Sequence, residues 1–327
     1  MTLVGKSALF TGYKELIVFS NHFTRLRTDR LQLLPAILVA WLNLQWNHGV
    51  FANICNRWIG QSAVKSDRLL ALDFPLPPLD EQKRISIILN EQIAAVDRAR
   101  QAAKEKLEAM KALPSSFLKQ FFPQPGQPLP EGWRWVRLGE VCGTVDYGFT
   151  ASAKNQIKYP KFLRITDIQD GIVDWDKVPG CEISVIEEEV YRLHDGDIVF
   201  ARTGATTGKS FLIKDPPRSV FASYLIRLRT KLKLIEPSFL FAFFLSPGYW
   251  AQVLAGIRGG AQGGFNASML KKIVLPLPSL LQQKYISIFL KEQLAATERV
   301  RCDSENELKA ISALPAALLS RAFKGEL

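Results

Sequence analysis

Several residues of this sequence belong to types that do chemistry, but their spacing denies most of them a reaction. Gly204-Ala-Thr-Thr-Gly208-Lys209-Ser210 is the nearest approach to a phosphate-cradling loop, in which backbone N–H groups and a lysine hold a nucleotide. Such a loop needs four residues between its glycines, and here there are three. The segment reads instead as a glycine turn presenting Arg202, Thr203 and Lys209 to a backbone phosphate or a base edge. Asp215-Pro-Pro-Arg218 starts like the loop of enzymes that methylate a flipped base, yet it lacks the aromatic residue that stacks on the base. No Gly-rich cofactor fingerprint accompanies it. His22, His48 and His194 stand alone, without partner spacing for a metal or a nucleophile triad. Asp195 and Asp197 flank a glycine turn without a third group to complete a metal site. No catalytic or metal site is expected, no cofactor of the chain's own, and no covalent chemistry.

The elements that position these residues are set first by composition. The chain has 327 residues, of which 47% are apolar, enough for two ordinary domains and too many for disorder. Its 42 Lys+Arg against 31 Asp+Glu give a net charge of +11, which points to a polyanionic partner, with nucleic acid foremost. Cys55, Cys142, Cys181 and Cys302 lie far apart with no CxxC pair, so four buried free thiols and a cytoplasmic location are expected. The most apolar stretches, Leu33 to Leu44 and Phe239 to Leu245, are too short to span a bilayer and read as core helices.

An internal repeat organises the rest. At an offset of 201 positions, Phe74-Pro-Leu-Pro-Pro-Leu79 matches Leu275-Pro-Leu-Pro-Ser-Leu280, Gln82-Lys83 matches Gln283-Lys284, and Ala112-Leu-Pro114 matches Ala313-Leu-Pro315. Upstream, with a small shift, Gly5-Lys-Ser7 answers Gly208-Lys-Ser210, Arg25-Leu-Arg-Thr28 answers Arg227-Leu-Arg-Thr230, and Pro35 answers Pro237. Residues 1–122 thus form a first copy of 203–323, and the first copy has no counterpart of residues 124–202.

Each copy ends in an amphipathic stripe. In the first it runs through Ile85, Leu89, Gln92, Val96, Ala99, Ala103, Leu107 and Met110; in the second through Ile286, Leu290, Gln293, Thr297, Val300, Ser304, Leu308 and Ile311. The spacing predicts two long helices of about 30 residues, about 45 Å each, paired in a coiled-coil-like way. Gln92 and Gln293 are placed to set register, and Pro114 and Pro315 to stop or kink the far ends. Between them, short β-prone runs (Trp133 to Leu138, Phe162 to Ile168, Asp197 to Ala201, Tyr224 to Arg229) and helical patterns (Pro237 to Leu245, Tyr249 to Ile257) predict a mixed α+β domain. Charge within it is lopsided: net −5 over 123–197 and net +9 over 198–280, with net +4 over 1–79. A positive face built from the later half of each copy is expected.

Together, Trp133-Arg-Trp-Val-Arg-Leu-Gly139, Gly196-Asp-Ile-Val-Phe200, Arg202-Thr-Gly-Ala-Thr-Thr-Gly-Lys209 and the duplicated Pro-Leu-Pro helix start resemble the specificity subunit of type I restriction-modification systems. The resemblance implies target recognition domains alternating with two long antiparallel spacer helices. On this pattern 1–73 is a partial first recognition domain, 74–122 the first spacer, 123–275 a complete second recognition domain and 276–327 the second spacer. It further implies a non-catalytic subunit that reads a bipartite site in double-stranded DNA. The helices would dock two methyltransferase subunits, which bind S-adenosylmethionine, with ATP-dependent restriction subunits as further partners. The departure at the front leaves three accounts open: a truncated frame, a gene-shuffling fragment, or completion by a second chain.

A spacer of about 45 Å corresponds to about 13 base pairs, roughly one duplex turn. For DNA contact the candidates are Arg202, Thr203, Thr206, Lys209 and Arg218, with Arg258, Gln262 and Asn266 of the glycine loop 256–266; Lys6, Arg57 and Gln61 are the weaker counterparts in the first copy. The alternative reading is a structural adaptor whose helices join proteins while its basic face is incidental.

Overall fold

The computed structural model describes residues 3–58, 61–169, 171–202, 204–258 and 265–327. They divide into two compact units, Met1–Ala109 with Arg301–Leu327, and Met110–Val300. In the first, residues 3–34 form neither helix nor strand. Pro35 then opens α1 (Pro35–Asn47) at a position where its missing N–H costs nothing. After it come α2 (Val50–Ile54), the hairpin of β1 (Asn56–Trp58) and β2 (Gln61–Ala63), α3 (Ser66–Leu70) and the start of α4 (Leu79–Phe121).

The second unit is the mixed domain. It contains β3 (Arg134–Arg137), α5 (Leu138–Val141), β4 (Cys142–Tyr147), β5 (Lys161–Leu163), the hairpin of β6 (Ile168–Gln169) and β7 (Ile172–Val173), and α6 (Val185–Tyr191). Then follow β8 (Ile198–Ala201), β9 (Ser210–Leu212), β10 (Ser219–Phe221), β11 (Leu225–Thr230), α7 (Pro237–Phe244), α8 (Pro247–Arg258), α9 (Ala267–Lys272), β12 (Val274–Leu277) and α10 (Leu280–Phe323). The β-prone runs at Trp133, Asp197 and Tyr224 and both helical patterns carry the element expected of them, whereas the run Phe162 to Ile168 is strand only at its ends, with a 3-10 turn over Ile165–Asp167 between. Strands β4, β11, β8 and β9 make an antiparallel sheet in that order, β5 pairs with β10 in parallel, and β3 pairs with β12. The core lies between this sheet and α7, α8 and α9, around Phe200, Ile226, Leu228, Phe239, Phe243 and Tyr249.

The two long helices run antiparallel. In the first unit Arg84 donates to the Leu327 carbonyl and Lys106 pairs with Glu307, while Ile85 and Leu89 bury with Leu319, Ala322 and Ile37. In the second unit Leu118 and Phe122 bury with Ile286 and Leu290, and Phe121 packs on Phe289. With 43 and 44 residues the helices are far longer than the 30 expected, about 65 Å at 1.5 Å per residue. The prolines do not end them. Burial of Leu118 and Phe122 beyond Pro114, and of Leu319 and Ala322 beyond Pro315, offsets the roughly 3 kcal/mol that an interior proline costs. The gap of about 13 base pairs, which rested on the shorter length, loses its basis.

The buried stripe also departs from the expected one, and at the same place in both copies. Val96 is buried, but Ala99 is exposed and Arg100 partly buried; in the second copy Thr297 is buried, Val300 is 42% exposed and Arg301 is partly buried. An α-helix turns every 3.6 residues, so its contact line drifts off a strict heptad seam. Leu107 is buried, and Met110, Leu308 and Ile311 are half-buried. At the positions expected to set register, Gln92 and Gln293, the two copies differ. The side-chain oxygen of Gln92 is buried without a partner among the described residues, while the main-chain carbonyl of Gln293 accepts from Thr297.

A different glutamine pair performs the joining. Fully buried Gln82 donates to the carbonyls of Gln32 and Pro77 and accepts from the Leu34 N–H, each at 2.8 Å. Fully buried Gln283 donates to Leu234 (3.1 Å) and Pro278 (2.9 Å) and accepts from the Glu236 N–H at 2.8 Å. In each copy one amide therefore ties the long helix to the residue preceding a proline-started helix, α1 or α7. The repeat of Gln82 and Gln283 was visible in the sequence; its purpose was not.

Of the cysteines, Cys142 and Cys181 are buried, whereas Cys55 is half-buried and Cys302 exposed, so the expectation of four buried thiols holds for two. Burial pushes Cys142 up to about 12 and Cys181 up to about 11, leaving both as unreactive thiols. Among the described residues no single helix is long and apolar enough to cross a membrane.

Candidate nucleic-acid interface

One end of the four-stranded sheet gathers candidates that are far apart in sequence. Leu225 pairs with Ala201, Ile226 with Tyr147, and Phe200 with Ser210, so the end of β4, the end of β8 and the starts of β9 and β11 meet there. The Arg202 N–H donates to the Tyr224 carbonyl, and the Arg202 carbonyl accepts from Phe265. The guanidinium of Arg202 lies 4.8 Å from the Tyr147 ring centroid. Stacked this way, its outer N–H groups remain open to a phosphate or to the paired acceptors of a guanine edge.

The glycine turn is built as a hairpin corner. Thr207 Oγ1 donates to the Gly204 carbonyl at 2.7 Å, and the Lys209 N–H to Thr206 at 2.9 Å. Gly208 has φ +84°, and a Cβ there would lie 2.9 Å from Val253 Cγ1; the buried Tyr249 hydroxyl donates to its carbonyl at 2.7 Å. Burial raises the Tyr249 pKa, keeping that donor protonated. The turn joins two antiparallel strands, β8 and β9. Lys209 is exposed at the corner and Thr206 is half-buried beside it.

Three further arginines of the basic half, Arg218, Arg227 and Arg229, are engaged. Arg218, at the far end of β10 from Tyr224, forms two 2.6 Å hydrogen bonds with the buried carboxylate of Glu188, which also pairs with Arg192. These partners, Arg218 first, hold the Glu188 carboxyl below its usual range. Buried Arg227 pairs with Asp146 and donates to the carbonyls of Val190 and Arg192. Arg229 pairs with Asp197 and meets Nδ1 of His194. Part of the lopsided charge is thus internal: carboxylates of residues 146–197 answer the arginines of 218–229. At this sheet end the open cations among the described residues are Arg202 and Lys209.

The remaining candidates divide. Asn266 is exposed next to Phe265, but its Oδ1 caps α9 by accepting from the Met269 N–H at 2.9 Å. Thr203 and Gln262 lie outside the described residues, as does the side chain of Arg258. In the first copy, Lys6 is exposed with its ammonium 5.7 Å from the Trp46 ring centroid. Arg57 and Gln61 fall in β1 and β2, with side chains outside the description.

Two residues of this end went unnoticed in the sequence. Tyr147 accepts from the Ala267 N–H and carries Arg202 on its ring, and Tyr224 is 65% exposed. Both stand where a strand meets a turn, the only local signal they gave. An exposed ring with an open guanidinium on it suits contact with bases and sugar-phosphate at once.

Residues 130–310 match the type I restriction modification DNA specificity domain. The chain is 24% identical over 275 residues to the type I restriction enzyme EcoBI specificity subunit of Escherichia coli, covering 77% of this chain and 58% of that protein. It is 24% identical over 300 residues to the putative type I restriction enzyme MjaX specificity subunit of Methanocaldococcus jannaschii, covering 88% and 68%. Thus it spans under three fifths of the EcoBI subunit's length. Among solved structures, the HsdS subunit from Thermoanaerobacter tengcongensis superposes with TM-score 0.59 at 26% identity, covering 92% of this chain and 73% of that one. A chain from a type I R-M system structure superposes with TM-score 0.72 at 23% identity, covering 92% and 74%.

Proposed function

Because the chain belongs to the type I restriction modification DNA specificity family, we propose that it is a non-catalytic DNA-recognition subunit whose second recognition domain reads duplex DNA with the sheet end at Arg202, Lys209, Tyr147 and Tyr224. The observation that carries this reading is selective availability. Arg218, Arg227 and Arg229 are held by carboxylates, whereas Arg202 and Lys209 stand open at one edge with exposed aromatic rings. The site read is bipartite, the other half falling to the recognition domain whose later part is residues 1–73. Methyltransferase subunits carrying S-adenosylmethionine dock on the long helices, with restriction subunits and their ATP as further partners.

A patch on α10 supports docking and also favours the adaptor reading. Leu281, Tyr285 and Ile288 follow one helix face and are all strongly exposed. The measurement that separates the readings is methylation of a randomised DNA library by the complex reconstituted with this chain. Arg202→Ala with Lys209→Ala is expected to weaken duplex binding at least tenfold and flatten its salt dependence by about two counterions, and Tyr224→Ala to relax preference at one position. Unchanged sequence preference with and without the chain, or duplex binding insensitive to salt, would leave only the adaptor.

A further inference from the structure

We propose that residues 5–31, together with Asp73–Leu76, form an interaction surface for a polypeptide segment equivalent to residues 133–201. This segment would supply strands like β3, β4, β5 and β8, with carboxylates at the positions of Asp146 and Asp197. The first support is the sheet topology of the second copy. There β9 pairs with β8, β10 with β5, β11 with β4 and β8, and β12 with β3; no two of β9, β10, β11 and β12 pair with each other. A later half without its front half has no ladder to join, and a strand without a ladder leaves its N–H and C=O groups to water.

The first copy shows this. Residues 3–34 form no strand, and neither do Asp73–Leu76, the counterpart of β12. Val18 and Phe19 match Val220 and Phe221, Phe23 matches Leu225, and Leu26 matches Leu228. All four of the second-copy residues are fully buried, whereas Val18 is 86% and Phe23 71% exposed, and Phe19 and Leu26 are exposed as well. Leu76 is exposed where Leu277 is buried. Side chains chosen for a core are standing in water.

Charge identifies the occupant. Arg25 and Arg27 match Arg227 and Arg229, whose partners Asp146 and Asp197 both belong to the acidic front half, net −5 over 123–197. Arg25 and Arg27 are exposed. The segment that fits is therefore sheet-forming and acidic, with one carboxylate on a strand flanking the one that bears the arginines, as Asp146 lies on β4, and the other just ahead of the strand on the opposite side, as Asp197 precedes β8. The chain's own residues 133–201 already serve their own later half.

The test places a second copy of residues 124–202 ahead of Met1 in the full chain and follows chymotrypsin cleavage after Phe19 and Phe23. Cleavage should slow by at least about tenfold, because it would then require local opening of a sheet. Arg25→Glu with Arg27→Glu should restore fast cleavage in the fusion and change nothing in the parent chain, and Asp→Arg at both matching positions of the added segment should slow it again. Equal cleavage rates with and without the added segment overturn the proposal. So does slow cleavage of the parent chain that speeds up on dilution, which would make a second copy of the chain the occupant. No DNA enters the experiment, so its failure leaves the reading of the Arg202 sheet end untouched.

Discussion

Residues 18–28 and 220–230 carry matching sequences and reach opposite ends, whereas α1 and α7, with their glutamine clamps, carry matching sequences and reach the same one. The difference lies in where each element finds its hydrogen bonds. A helix satisfies its backbone from within, so Pro35 and Pro237 can start one wherever an apolar face finds cover. A strand borrows every bond from a neighbour, and the neighbours of β9, β10 and β11 all lie in residues 142–201. Matching sequence therefore carries the helices over from one copy to the other, and the strands only where their neighbours are at hand.

The sharpest way to break this comparison is at the matched arginines. Arg227→Ala removes a buried guanidinium that pairs with Asp146, donates to two carbonyls and lies 4.7 Å from the Phe221 ring centroid. We expect a loss of about 3 kcal/mol from the second unit, the low end for breaking a buried pair, since Asp146 keeps some access to water. Arg25→Ala should change stability by less than about 0.5 kcal/mol, the usual range for exposed sites. Urea unfolding read by hydrogen exchange in each unit measures both; equal costs would mean that Arg25, whose guanidinium lies 5.0 Å from the Phe19 ring centroid, is held as firmly as Arg227.

The clamps should behave in the opposite way, alike in the two copies. Gln82→Leu and Gln283→Leu each strand one backbone N–H and two carbonyls, a cost of about 2 kcal/mol apiece. The same unfolding experiment should give values within about 0.5 kcal/mol of each other. A cost at Gln283 alone would show that the first clamp does not hold α1 to α4.

What the sequence disclosed follows the same division. Element types were legible wherever period and turn residues act locally: α7 and α8 from their apolar spacing, β8 and β11 from short β-prone runs beside glycine and turn residues. Arg202 and Lys209 were legible as an exposed basic turn. The fates of Arg218, Arg227 and Arg229 were not, because a bare count of charge cannot say which arginines will meet Glu188, Asp146 and Asp197 across strands and helices. Nor were Tyr147 and Tyr224, whose meeting with Arg202 depends on the register of three strands. Pro114 and Pro315 misled for a related reason: a local rule against proline in a helix yields to packing contributed from elsewhere.

The smallest expected effect tests whether the helix contact line drifts in both copies. On a heptad seam Val300 would face the partner helix, and an aspartate there would cost several kcal/mol by burying an unpaired charge. On the observed line Val300 and its match Ala99 lie outside, with Arg301 and Arg100 turned partly inward. Val300→Asp and Ala99→Asp should therefore each shift stability by no more than about 0.5 kcal/mol. Val96→Asp, three residues before Ala99 and buried, should be severe. A large loss at Val300 with none at Ala99 would show that the two helices, though copies, meet their neighbours along different lines; the loss of equivalence would then extend from the strands into the helices.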